Sequence, residues 1–263
     1  MDILKRSIAP LTEEAWKEID DQAIEVLHSQ LSARKAVHVE GPMGWDYTVV
    51  PEGRLTLVDN EKDVKTGVYN STPLVEARIS FELDRWEMDN LVRGAKDVEL
   101  EALEEAVRKL AIFEEEAIYN GYEKGKIKGL KDSSEQEALK FGEDAKAILE
   151  MIAKGMIMLQ DAFVEKPYNL VVGDEAWKRI NRESNNYPLV KQVEELIGGK
   201  VIYSHVVEGA FLLPDDHEDL EMTIGQDYAI GYESHTDEKV RLFITESFTF
   251  RVLDPALIIN FRI

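Results

Sequence analysis

From Ile224 to Ile263 apolar and polar positions alternate with a period of two, the mark of half-buried strands. Val240, Leu242 and Ile244 alternate with Arg241, Phe243 and Thr245, and then Phe248, Phe250 and Val252 with Thr249 and Arg251. The polar run Ser234 to Lys239 is turn material between them, so the segment predicts a long hairpin followed by a final strand. At the other end the period changes to that of a helix. Thr12 is a candidate N-cap, Glu13 and Glu14 suit the first turn, and Trp16, Ile19, Ala23, Leu27 and Leu31 form one apolar stripe. This predicts a helix over 12–36, before the strand-like Val37-His38-Val39.

The middle of the chain divides into three textures. From Gly41 to Pro73, glycines and prolines punctuate short runs such as Tyr47 to Val50 and Arg54 to Val58, with a matching strand at Thr66 to Tyr69. That reads as an extended hairpin with little core of its own, which is marginally stable unless it packs on something else. Strand texture continues over 74–85, and 86–94 carry a short helix. Leu100, Leu103, Val107, Leu110, Phe113 and Ile118 then define a helix over 97–120, with Asp97 as its cap and Gly121 as its stop. Beyond the linker 132–135 the pattern becomes α/β. Helices are expected at 144–159, 174–182 and from Pro188 to Gly198-Gly199, with strands at 168–172, 200–203 and 210–213. The fold class is therefore α+β.

Composition narrows the function. The 263 residues suffice for one large domain or two smaller ones, and there is no cysteine to form disulfides or supply a thiolate. No run of eighteen apolar residues occurs and the N-terminus lacks the features of a signal peptide, so a soluble cytoplasmic protein without a membrane partner is expected. A net charge of −21 disfavours nucleic acid as a partner. Lys124, Lys126, Lys128 and Lys131 run against that balance; they read as a solvated loop or as a tether to an acidic neighbour or RNA. The five histidines include no zinc-binding pair, Gly-x-Ser-x-Gly is absent, and Gly121 to Lys126 is too short for a phosphate loop. Glu114, Glu115 and Glu116 read as a solvated helix face. No catalytic residue, metal site or required cofactor follows, and the chain is not expected to be an enzyme.

Several long blocks resemble a known family. The strings MDILKRSIAPLTEEAW, ARKAVHVEGPMGW, STPLVEARISFELDRWEMDNLVRG, NYPLVKQVEELIGGKVI and VRLFITESFTF occur in this order across nearly the whole chain. Together they resemble the linocin-type encapsulins, shell proteins of bacterial and archaeal nanocompartments. The resemblance implies the Hong Kong 97-type fold of tailed-phage capsids, with a peripheral domain, an extended loop and an axial domain. In this chain 1–47 would be the peripheral domain with its N-terminal helix, 48–74 the extended loop, and 75–135 the peripheral domain with the spine helix. Residues 136–219 would be the axial domain and 220–263 the peripheral sheet. Copies would close into an icosahedral shell, most simply of sixty subunits.

The resemblance also implies sites. A cargo enzyme, such as a dye-decolourising peroxidase or a ferritin-like iron-storage protein, would dock through its C-terminal peptide. The groove would be formed by Leu27, Leu31 and Arg34 from the helix side, and Tyr228, Ile230 and Gly231 from the sheet. His38 stands where some relatives are expected to carry an acid. The alternative for Leu27 and Leu31 is ordinary helix–core packing. Trp86 with Arg78 matches positions that hold a flavin in some relatives; the alternative is a tryptophan packed on its own subunit. Ser184, Asn185, Asn186 and Tyr187 match the loop that rims the five-fold pore, or form an ordinary surface loop. A prophage major capsid protein shares the fold, and a protease or bacteriocin is the third reading.

Overall fold

The computed structural model describes residues 3–58, 64–182 and 187–263. Its first helix begins where the cap chemistry requires. α1 (Glu13–Gln30) is capped by the Thr12 hydroxyl, which accepts from the Ala15 N–H at 3.2 Å. It ends well before Ala36. The N–H groups of Ser32 and Ala33 donate to the Glu115 carboxylate at 2.8 and 2.7 Å, and the chain leaves the helix through a tight turn at Ala33–Lys35.

β1 (His38–Glu40) leads to the arm, formed by β2 (Val49–Val58) and β3 (Thr66–Pro73), and then to β4 (Val75–Asp84) and α2 (Arg85–Val92). The spine helix α3 (Glu101–Tyr119) starts later than the Asp97 cap would place it. Leu100 is buried and Val98 packs on the same core, so burial of the approach segment, and not capping, sets the entry. At 1.5 Å per residue it is about 28 Å long. After α4 (Leu130–Ser133) come β5 (Leu139–Lys140), α5 (Ala145–Asp161), β6 (Tyr168–Val172), α6 (Asp174–Ile180) and α7 (Leu189–Ile197). Gly198 ends α7 in the left-handed conformation, φ 73°. β7 (Val201–Tyr203), β8 (Ala210–Pro214), β9 (Leu220–Ile224), β10 (Ala229–His235), β11 (Lys239–Val252) and β12 (Ile259–Arg262) complete the chain.

β11 organises the first sheet. β4 runs antiparallel along one side, from Lys239↔Asp84 to Phe248↔Val75. β10 and β9 follow one another along the other side, with Ile230 opposite Ile244 and Met222 opposite Phe250. β1 joins the outer edge of β9 in parallel. The second sheet has the order β5-β12-β8-β6-β7.

The last strand corrects the grouping of 220–263 in one sheet. β12 pairs with β8 (Ile259↔Leu212) and with β5 (Phe261↔Leu139). Its two inward residues, Ile259 and Phe261, are buried beneath α5 at Gly155, where a Cβ would lie 3.1 Å from the Phe261 ring. A period of two says that one face is buried; it does not say in which sheet.

Three apolar cores result. One lies between α1, the first half of α3 and the first sheet. A second joins the other half of α3 to residues of both sheets, including Phe250 and Phe211. The third fills the space between α5, α6, α7 and the second sheet. The arm contributes no residue of β2 or β3 to these cores, although Val50 at its base is buried.

Candidate functional site

The arm is the most exposed apolar surface. In its register Leu55 faces Tyr69 and Leu57 faces Gly67. Leu55, Leu57 and Tyr69 therefore share one face of the ribbon, at 48%, 74% and 82% exposure. Val68 and Val58 sit on the other face, also exposed. A two-stranded ribbon with both faces apolar and no core beneath it is a surface that water penalises.

Four of the residues expected to form a cargo groove do meet. Leu27, Leu31 and Ile230 belong to one buried cluster, and Tyr228 packs against it. In the single chain they are closed on each other as helix–sheet packing. Gly231 is required by close approach: a Cβ there would lie 2.3 Å from the Phe243 ring and 3.0 Å from the Leu4 Cα. The Tyr232 N–H donates to the Leu4 carbonyl at 2.8 Å, so the N-terminal segment covers this part of the β10 edge. That contact is not legible in the sequence, since nothing in MDILKRSIAP has strand periodicity.

Two expected groove residues lie elsewhere in role or position. Arg34 is not a free cation at a rim. Its guanidinium binds Glu114 through Nε and Nη2, the latter at 2.6 Å, and Asp227 at 2.8 Å. It also stands 3.4 Å from Glu246 and 4.8 Å from the centre of the Tyr228 ring. His38 is on β1, opposite Glu221, which pairs with Arg251 of β11, whereas Ile230 pairs with Ile244. Those seven strand positions put it about 23 Å away along the sheet. Its imidazole lies 2.7 Å from Asp216 and 3.2 Å from Glu40. Hydrogen bonds to Asp216, then Glu40, raise its pKa.

Around Arg34 the structure overturns the solvated reading for Glu114 and Glu115, while Glu116 is exposed as expected. Glu114 and Glu115 are fully buried, as is Glu246 on β11. Burial, reinforced by the neighbouring Glu114, pushes the Glu246 carboxyl well above the usual range, so it holds a proton. Its Oε1 and the Tyr228 hydroxyl have no hydrogen-bond partner. Glu115 accepts from Ser32 and Ala33, yet burial raises it to about 7. Glu114 and Glu115 could have been suspected, because they continue the stripe of Val107, Leu110 and Ala111 on the spine. Glu246 had no such signal.

The proposed flavin pair does not fit as a unit of one chain. Arg78 faces Thr245 and Asp84 faces Lys239, so these two positions of β4 are about 20 Å apart, and Trp86 lies past the strand's end at Asp84. Arg78 sits 4.2 Å from the centre of the Phe243 ring and pairs with Glu76 at 3.0 Å. Trp86 is 66% exposed, and the cation near it is Arg93, 5.6 Å from its ring centre. Of the pore-loop residues, Ser184, Asn185 and Asn186 lie outside the described residues. Tyr187 is exposed and its hydroxyl donates to Glu195 at 2.6 Å. Among the described residues no group of acids and histidines is arranged to hold a metal ion, and no helix is long and apolar enough to cross a membrane.

Comparison with known proteins places this architecture. A family model described as "Encapsulating protein for peroxidase" matches residues 1–249. The chain is 33% identical to a type 1 encapsulin shell protein of Rhodospirillum rubrum, covering 100% of this chain and 97% of the relative. It is 34% identical to that of Mycobacterium tuberculosis, covering 95% of each. Among solved structures it is similar to a virus-like particle from Pyrococcus furiosus, with a TM-score of 0.66, 12% identity, and 93% and 98% of the two chains covered. It is also similar to the capsid of Myoviridae phage XM1, with a TM-score of 0.55, 14% identity, and 84% and 87% covered. At such identities the likeness is one of fold, and the fold is that of tailed-phage capsids.

Proposed function

The chain belongs to the encapsulin family of shell proteins, and from that premise we propose that sixty copies of it close an icosahedral compartment around cargo enzymes. Its role is structural, in an assembly of many copies. The observation that carries this reading is the arm, whose apolar side chains Leu55, Leu57, Val68 and Tyr69 are exposed in the single chain. In a closed shell every arm can lie on a neighbouring subunit and every subunit can receive one. The compartment is placed in the cytoplasm.

The cargo is inferred to be an enzyme carrying a C-terminal docking peptide. The family description names a peroxidase; a ferritin-like iron-storage protein is the other candidate cargo. The peptide would dock on the wall around Leu27, Leu31, Tyr228, Ile230 and Gly231, which supplies apolar contacts beside the edge of β10. Because Arg34 is already neutralised, affinity there would come from apolar side chains and not from an ion pair. Nothing in one chain supports a flavin held jointly by Trp86 and Arg78.

Purification of the shells from their native cells tests the proposal. An enzyme should co-purify, and deletion of its C-terminal peptide should remove it from the particles while they still form. Particles filled with nucleic acid, or cargo retained without its peptide, would contradict it. The first of those outcomes is the one expected of a phage capsid.

A further inference from the structure

The lysine loop after the spine helix lies beside the base of the arm and shares no residue with the cargo wall. Ile127 is buried, and its backbone exchanges hydrogen bonds with Tyr122 at 2.8 and 3.1 Å. This directs Lys126 and Lys128 outward on either side of it, with Lys126 in the left-handed conformation, φ 58°. Both line a pocket of about 310 Å³ at the base of the arm. Arg54 reaches the same pocket from β2, at the break in register between Pro51 and Leu55.

Arg251 of β11 forms a further part of the wall. Its Nη2 binds Glu221 at 2.5 Å, while its Nε–H is buried without a partner. Arg54, Lys126 and Lys128 form no ion pair with any described residue. One carboxylate lines the pocket: Glu52, which accepts from the Thr72 hydroxyl at 2.9 Å. The hollow on the other flank of the two lysines, about 420 Å³, includes Glu123 and Asp132 and has no such excess of cations.

In a chain of net charge −21 an uncompensated cluster of this kind is held together against mutual repulsion. We propose that this pocket binds a phosphate-type oxyanion, either inorganic phosphate or the phosphate group of a small phosphomonoester. Two ammonium groups and the Arg54 guanidinium around one hollow, with the unpartnered Arg251 Nε–H in its wall, suit an oxyanion carrying two charges. The volume is at the lower end of small-molecule sites. A long polyanion would also meet the acidic remainder of the chain, so a nucleic acid is not the ligand assigned.

The test is equilibrium dialysis of assembled wild-type shells against radiolabelled inorganic phosphate in phosphate-free buffer. Saturable binding approaching a single phosphate per chain is expected. Substituting Lys126→Gln and Lys128→Gln together should weaken it by at least about tenfold. Lys124→Gln, in the same loop but not lining the pocket, should leave it unchanged. Where the double variant fails to assemble, Arg54→Gln serves in its place and should weaken binding in the same direction. Displacement by glycerol phosphate below the concentration at which phosphate displaces assigns an ester as ligand, and above it the free ion. The proposal is overturned if wild-type shells bind no phosphate saturably, or if every variant binds as the wild type does. Loss of assembly in the double variant together with no phosphate binding by the wild type would instead assign the cations to carboxylates of a neighbouring copy.

Discussion

Placing carboxylates on the arm should abolish assembly without unfolding the subunit. The perturbation is Leu57→Asp with Tyr69→Asp, on the ribbon face that also carries Leu55. In the single chain these side chains are 74% and 82% exposed, so neither supports a core. Substitution should change subunit stability by no more than about 0.5 kcal/mol. On a neighbouring subunit each native side chain would contribute about 2 kcal/mol by burial. The pair therefore forfeits about 4 kcal/mol per arm, close to a thousandfold in the contact, before the cost of desolvating two carboxylates. Because every subunit in a closed shell donates one arm, the loss recurs at every such contact. Size-exclusion chromatography with light scattering reads assembly, and circular dichroism reads the fold. Normal particles from the double variant would refute the claim that this face is an assembly surface.

Three further outcomes follow from the buried charges and the cargo wall. Arg34→Met should destabilise the subunit by about 3–5 kcal/mol, since it leaves the buried Glu114 carboxylate without its cation. Glu246→Gln, which replaces a carboxyl already protonated, should stay within about 1 kcal/mol; equal losses in denaturant titrations of the two variants would contradict the assignment. The folded chain holds the Glu115 proton up to about 7, whereas the unfolded chain releases it near 4.5. The stability it contributes is complete below 4.5 and fades as pH rises towards 7, by roughly 3 kcal/mol in all. Glu115→Gln should flatten that decline between about pH 5 and about pH 8, and parallel melting curves for the two proteins would oppose the reading. Ile230→Ala should leave particles intact but reduce cargo loading several-fold in co-purification; full loading would remove the cargo wall from this position.

Much of the architecture was legible because local chemistry and global packing agree. Thr12 caps α1, Tyr168 to Val172 form a strand buried throughout, and Gly198 ends α7 in a conformation suited to glycine. The arm was legible as an element without a core. What failed depended on partners distant in sequence. α1 ends early because Glu115 draws the Ser32 and Ala33 N–H groups away from the helix ladder. Glu114 can be buried because Arg34 meets it across the fold, so a triplet of acids read alone suggests a solvated face. β12 crosses to the second sheet because its apolar pair fits under α5. Arg78 and Trp86 are near neighbours in the chain, but an extended strand between them separates what a helix would have kept close. The groove was suggested by family resemblance alone, and the packing shows Leu27, Leu31 and Ile230 as members of one core.

This chain is proposed to build a closed shell from many copies of itself. Electron microscopy of the purified protein in negative stain tests it most directly. Hollow particles of uniform size, free of nucleic acid, are expected. A well-folded protein that remains a single subunit at assembly concentrations would contradict it.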